Sequence, residues 1–545
     1  MPRRTNRRDA KPLLTGNQTQ KRREQTQELR SSRRQSILLA KRRKSDSTSA
    51  EEDHSPQWSE EQLQTVLVGI QQSPLPKCLP HLTNLRKLLS LEHGPVEEVV
   101  EKAHLGPRLI ELLTAPNDEI QIEAAWCITN IASSHTRHTE HILDAAPQLI
   151  SFLSTPNTTL QEQSLWALGN IAGDNAGFRE MLHANGTLLP VFRLLKNPPS
   201  AEIARTAAWT ISNLARGEKT PAKPFLPVAG EVVAALRGEA GISPKDATLR
   251  VEAAWILAFL SAKDDESNWT LVRAEMVPAL VQALTDSRGE DPLCTPVLRS
   301  LGNMLSGLQE WADAVLKHSS FLTCLASILS SQDSKRRALV KEAAWVASNV
   351  AAGRQEHRDA LFAHGIGITL ISLLVSGQLD MQREAAFAVW NLVSHGGDRL
   401  GAAVETSGVL DAFVGLLSVP DASVVRCALS FLQLVCEAIP CGPRLVEKHG
   451  GLEALDDVHY SGQMEPELSA AAASIVDRFF GMDYDGESEE DNDEELDTGV
   501  MGATAHVRED KVQGPQGHGM MPGQYDSGLG RGTHLTRPAW MQNAP

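Results

Sequence analysis

From residue 58 to about 480, apolar positions recur at helical spacing. Examples are Leu109, Ile110, Leu112 and Leu113, and later Leu410, Phe413, Leu416 and Leu417. Strand-like alternation is nearly absent. The pattern also repeats on a longer scale. The segments EAAWCITNIASS, EQSLWALGNIAGD, TAAWTISNLARG, EAAWILAFLSA, PVLRSLGNMLSG, EAAWVASNVAAG and EAAFAVWNLVSHG are versions of one helix. Their anchors, Trp126, Trp166, Trp209, Trp255, Arg299, Trp345 and Phe387, are separated by 40, 43, 46, 44, 46 and 42 residues. All of these spacings fall within the period of roughly 40–47 residues that marks HEAT and armadillo arrays. Between anchors lie a Gly- or Pro-marked break and a second apolar segment such as PQLISFLS or VPALVQAL. Each unit therefore reads as two or three helices that bury their apolar faces only by stacking on neighbours. The expected fold is all-α, a right-handed α-solenoid of about ten armadillo repeats. One weaker unit precedes Ile122 and two follow Val404.

Within four of these helices Asn follows Trp by four residues: Trp126 with Asn130, Trp166 with Asn170, Trp209 with Asn213 and Trp345 with Asn349. Positions i and i+4 share one helix face. Stacking then sets a row of indoles beside a row of carboxamides. One such pair would read as a core Trp and an incidental Asn. Four in register need another reason, since Asn competes for backbone hydrogen bonds and is a mediocre helix residue. A carboxamide carries donor and acceptor together, so it can bind the main chain of an extended peptide whatever its sequence. Parallel indoles leave slots for the stems of Lys and Arg, with cation–π attraction. Side chains on one face of an extended peptide recur every ~6.6 Å, and packed helices lie ~8–10 Å apart. A twisted peptide can therefore fill successive slots.

Charge sharpens this reading. The formal net charge is -16, but Met1–Lys44 holds fifteen Lys and Arg against three acids. The remainder holds 37 basic and 65 acidic residues. A basic arm on an acidic body suggests that arm and body bind each other, or that the arm copies a ligand of the body. Three zones follow: a basic arm and linker over residues 1–57, the solenoid over 58–481, and an acidic then Gly-rich tail over 482–545. The composition of both end segments predicts disorder. The seven scattered cysteines form no CxxC pair or disulfide framework, which fits a reducing compartment. No apolar run is long enough for a signal peptide or a membrane span.

The Trp/Asn ladder and the arm KRREQTQELRSSRRQSILLAKRRK together resemble the importin-α family, adaptors for nuclear localisation signals, from about Arg7 to Gly481. The resemblance implies a major cargo site of Trp126, Asn130, Trp166, Asn170, Trp209 and Asn213. Asp174 would pair with a cargo lysine, and Thr139 and the carbonyl of Ser134 would complete its pocket, although the family usually has Gly at the Ser134 position. It implies a minor site of Arg299, Asn303, Glu342, Trp345, Asn349, Glu384, Phe387 and Asn391. There Phe387 stands where the family has Trp, and Trp390 is an added indole. Phe259 stands where the family usually has Tyr, in a repeat that also lacks its Asn.

Arg22, Arg23, Leu29, Arg30, Arg33 and Arg34 would bind importin-β. Lys41, Arg42, Arg43 and Lys44 form a KRRK cluster that looks like a localisation signal, able to occupy the groove and keep the empty adaptor closed. The segment ELSAAAASIVDRFFG resembles the last family repeat, where the export receptor CAS binds with Ran-GTP. The resemblance implies shuttling between cytoplasm and nucleus and leaves room for nucleoporin contacts. No cofactor, direct nucleic-acid binding or membrane insertion is expected.

No GxGxxG, Walker A, HExxH or nucleophile elbow is present, and the seventeen His show no metal-ligand spacing. His364 and His395, near repeat boundaries, read as solvated loop residues. The sequence does not read as an enzyme. A non-import armadillo scaffold would share the period without the ladder. A nucleic-acid-binding solenoid should carry its positive charge on the repeats, where this chain is acidic.

Overall fold

Asn117, Asn157, Ser200, Asp246 and Asp421 each stand just before an apolar helical stretch. Each accepts a hydrogen bond from a backbone N–H of the first turn. Side-chain caps of this kind satisfy donors that a helix start leaves open, so the beginnings of the repeated helices are fixed locally. The structure, a computed structural model, describes residues 58–481 except 76, 92, 240–244, 288–290, 396 and 463. The expected arm, with Arg22 to Arg34 and the Lys41–Lys44 cluster, lies outside the described residues, as does the tail from 482 onward.

Ten ladder helices can be followed among the described residues. They are α1 (Leu79–Ser90), α2 (Asp118–Ile131), α3 (Thr158–Asp174), α4 (Ala201–Ala215), α5 (Ala247–Ser261), α6 (Asp291–Leu305), α7 (Arg337–Ala351), α8 (Leu379–Val393), α9 (Ala422–Ala438) and α10 (Pro466–Phe479). Each packs against the next in unbroken series. A second row runs beside the first. In it Ala229–Arg237, Met276–Asp286, Ser319–Leu329, Ile366–Ser376, Val409–Gly415 and Gly451–Tyr460 also touch in order. The described residues contain no β-strand. The expected α-solenoid and its count of about ten units are both found.

The paired alanines ahead of the anchors explain the close stacking. Ala124 and Ala125, Ala207 and Ala208, Ala253 and Ala254, Ala343 and Ala344, and Ala385 and Ala386 are all at most 1% exposed. Small side chains here let neighbouring helices approach while the larger Leu, Ile and Val on either side fill the core.

Candidate functional site

The indole ladder has seats. A Cβ added to Gly169 on α3 would fall 2.1 Å from Cζ3 of Trp209 on α4, and one added to Gly302 on α6 would fall 2.1 Å from Cζ3 of Trp345 on α7. These two indoles therefore pack closely against the backbone of the preceding ladder helix, at the residue just before that helix's Asn. The corresponding residues elsewhere are Thr129, Ser212, Ala258 and Ser348, all small. Trp390 breaks the rule on α8, and the next repeat has Leu429 at the anchor position, 3% exposed. No further indole needs that seat, so the ladder stops there.

In the front half, Trp166 and Trp209 lie 4.9 Å apart at 45°. Trp126 and Trp166 are half-buried, whereas Trp209 and Trp255 are buried. The front row opens with a residue that the spacing hides: Arg86 on α1, one period before Trp126. Its guanidinium sits 4.5 Å over the Trp126 ring, and its Nε donates to Glu123 at 2.8 Å. Arg299 opens the rear row in the same way, ahead of Trp345. It donates to Glu342 at 2.7 Å in a pair that is almost wholly buried. The expected minor-site pair thus brace each other. Phe387 is buried, while Glu384, Asn303 and Asn391 are half-buried. Between the rows, Phe259 takes the Asn position of α5 and stacks on Trp255 of its own helix at 5.9 Å.

The carboxamides correct an expectation. Their side-chain N–H groups do not simply await a ligand. Asn170 donates to the carbonyl of Thr129 (3.1 Å), Asn213 to Gly169 (3.1 Å), Asn303 to Ala258 (3.0 Å), Asn349 to Gly302 (3.1 Å) and Asn391 to Ser348 (3.0 Å). Asn130 reaches Ser90 Oγ at 3.1 Å and the carbonyl of Arg86 at 3.4 Å. Each Asn therefore stitches its helix to the one before, at about 1 kcal/mol per bond. This is an internal benefit that offsets the poor helix propensity of Asn. Asn170 and Asn213 each give one N–H to this contact, which leaves a second N–H and the acceptor on the carboxamide. The Oδ1 of Asn170 is buried with no partner.

Asp174 is the last residue of α3, where unpaired helix carbonyls already make the surroundings negative. A carboxylate in that position calls for a cation. Thr136, which the spacing did not single out, donates to its Oδ1 at 2.5 Å, and its Oδ2 is buried without a partner. Thr139 is fully buried, with its hydroxyl 3.5 Å from the carbonyl of His135. The Ser134 hydroxyl donates to the carbonyl of Ile131 at 2.7 Å and lies 3.0 Å from His138 Nδ1. Burial, followed by the charge of Arg137, lowers the His138 pKa from its ordinary value. The front site thus combines an underused carboxylate, a row of indoles and a free carboxamide acceptor.

The Armadillo/beta-catenin-like repeat family matches residues 95–133 and 135–173. Importin subunit alpha-2 of Oryza sativa subsp. japonica is 36% identical over 424 residues, covering 75% of this chain and 79% of that protein. Importin subunit alpha-9 of Arabidopsis thaliana is 32% identical over 445 residues, covering 78% and 84%. A crystal structure of an engineered protein superposes with a TM-score of 0.65 at 25% identity, covering 76% of this chain and 98% of that one.

Proposed function

The chain belongs to the importin-α family, and from that premise we propose that it is a nuclear import adaptor that holds basic localisation signals along its ladder helices and hands them to importin-β. The observation that carries the reading is Asp174: a carboxylate at the C-terminus of the helix that bears Trp166 and Asn170, with one oxygen buried and unpartnered. A lysine ammonium there answers both the carboxylate and the helix carbonyls. Its stem lies against Trp126 or Trp166, while Asn170 Oδ1 takes a peptide N–H. Asn130, Asn213 and the rear carboxamides Asn303, Asn349 and Asn391 extend the same main-chain contacts.

The basic arm completes the cycle in this reading. Lys41–Lys44 competes for the front slots, tethered at an effective concentration of about millimolar, and importin-β relieves the competition by sequestering Arg22–Arg34. The last ladder helix, α10, supplies the contact for return by CAS with Ran-GTP. Fluorescence anisotropy with a labelled lysine-rich signal peptide tests the scheme. Removing residues 1–57 should tighten the peptide, as should adding importin-β to the intact chain. Importin-β added to the shortened chain should change nothing. Equal affinity for intact and shortened chains at low salt would sink self-inhibition, and no measurable binding to either would sink the adaptor reading.

A further inference from the structure

The register that places Asp174 in the front half can be followed into the rear. Asp174 stands four residues after the ladder residue Asn170, and Thr139 stands nine after Asn130 in the repeat before. Five repeats later the same offsets lead from Asn391 to His395 and from Asn349 to Arg358. Arg358 and His395 line a cavity of about 420 Å³ together with Gln355, Phe362, Leu392, Asp398 and Arg399. The cavity therefore occupies the place in the unit that the Asp174 pocket occupies in the front half, with opposite chemistry.

Arg358 is 5% exposed. Its Nη1 donates to the carbonyl of Gly353 at 2.7 Å and its Nη2 to Gln355 Oε1 at 2.9 Å. Gly353 is the counterpart of Ser134, so the carbonyl that would receive a lysine in the rear is already held by the chain's own guanidinium. The Nε of Arg358 is buried with no partner.

A carbonyl-capping arginine needs no ligand by itself. Arg179, nine residues after Asn170, similarly donates to the carbonyl of Ala172 at 3.0 Å. The difference is the balance of charge. Arg179 feels two acids, Glu180 and Asp174, whereas Arg358 feels Asp359 and Glu356 but also a second cation, Arg399, and the Asp174 position of its repeat is Gly353. The nearby acids offset this only in part, and Glu356 is exposed. Asp359 is engaged by Arg399 and by Gln355 Nε2, and Asp398 is exposed in the first turn of Asp398–Glu405. Burial first, and then Arg399, lowers the Arg358 pKa. His395, exposed overall, is also lowered, by desolvation and then by Arg358 and Arg399. A buried cation with no carboxylate in direct contact is costly, and the cavity lining sets Arg358 and Arg399 against a single exposed acid, Asp398.

We propose that the cavity is an anion pocket, which takes an acidic side chain (a carboxylate or a phosphorylated serine) from a peptide lying along the rear half of the ladder, and rejects lysine. The proposal rests on the reading that the ladder binds extended peptides. A guanidinium fork is well shaped for either anion, and Arg399, set 4.6 Å over Phe362, forms the second wall.

The test uses the full chain and labelled peptides with a basic cluster at one end, joined by a flexible spacer to a six-residue segment. Ala, Lys, Glu or phosphoserine is placed at each segment position in turn, with the segment on either side of the cluster. At one position Glu or phosphoserine should bind about tenfold tighter than Ala, and Lys should bind no better than Ala. A gain with phosphoserine alone would assign the pocket to phosphate, and a gain with both would assign it to acidic side chains in general. Arg399→Gln should remove the gain. Arg358→Thr, which installs the front-half residue type, should remove it and turn the preference toward Lys. The absence of any position that favours an anion, or a gain unchanged in both variants, would overturn the proposal. Failure of the peptide-binding reading itself would look different, because the basic cluster alone would then not bind.

Discussion

The front and rear halves of the ladder are built alike and charged differently. In both, an arginine opens the row (Arg86, Arg299), an acid three residues ahead of the next indole pairs with it (Glu123, Glu342), and an indole sits on a glycine (Trp209 on Gly169, Trp345 on Gly302). In both, Asn side chains tie each helix to the one before. The halves part in one matched pair of repeats, at positions four and nine residues after the ladder Asn. In front these carry Asp174 and Thr139, and in the rear His395 and Arg358. In the proposed reading, the scaffold that spaces the slots is separable from the side chains that would choose the ligand's charge. A repeat array permits this because each unit answers chiefly to its neighbours.

The sharpest attack on the shared scaffold is to remove one seated indole from each half. Trp209→Ala and Trp345→Ala should each cost about 3–5 kcal/mol, seen as a loss of denaturant midpoint or as partial unfolding of the flanking repeats. A loss confined to one variant would show that the two rows are held together differently. The difference in charge is tested next. Asp174→Lys should weaken a lysine-rich peptide by about 1.5–3 kcal/mol, roughly ten- to a hundredfold, in anisotropy titrations. The register-equivalent His395→Lys should leave that peptide nearly unaffected. Equal losses would return the rear pocket to cation binding.

A milder test uses the seats themselves. Gly169→Ala and Gly302→Ala force the ring opposite to move, at about 1–3 kcal/mol of overpacking, against about 1 kcal/mol gained in helix propensity. Both variants should therefore melt slightly below the parent by calorimetry. A variant that melts higher would mean that its indole has room to slide. The smallest effect concerns Phe387. Its ring offers less π-surface than an indole, so a bipartite basic signal should gain little over a monopartite one. Phe387→Trp should widen that gap by about 0.5–1 kcal/mol. A gap already wide in the parent chain would point to Trp390 as the acting ring.

The period of 40–46 residues, the number of units, the Trp/Asn ladder and the contrast between a basic arm and an acidic body could all be read from the sequence. Helical spacing is local: residues i and i+4 meet whatever surrounds them, and similar segments recurring at a fixed period imply stacking. Asp174 was singled out through the family resemblance alone, within GNIAGD. The tertiary structure alone decided how residues roughly 40 positions apart meet. It showed that each ladder Asn donates to the preceding helix, that Gly169 and Gly302 seat the next indoles, and that Arg86 covers Trp126. It also placed Arg358 on the carbonyl of Gly353. Such contacts depend on the axial offset between stacked helices, which is set by how whole faces of Leu, Ile and Ala interlock, and no single segment of the chain records that offset.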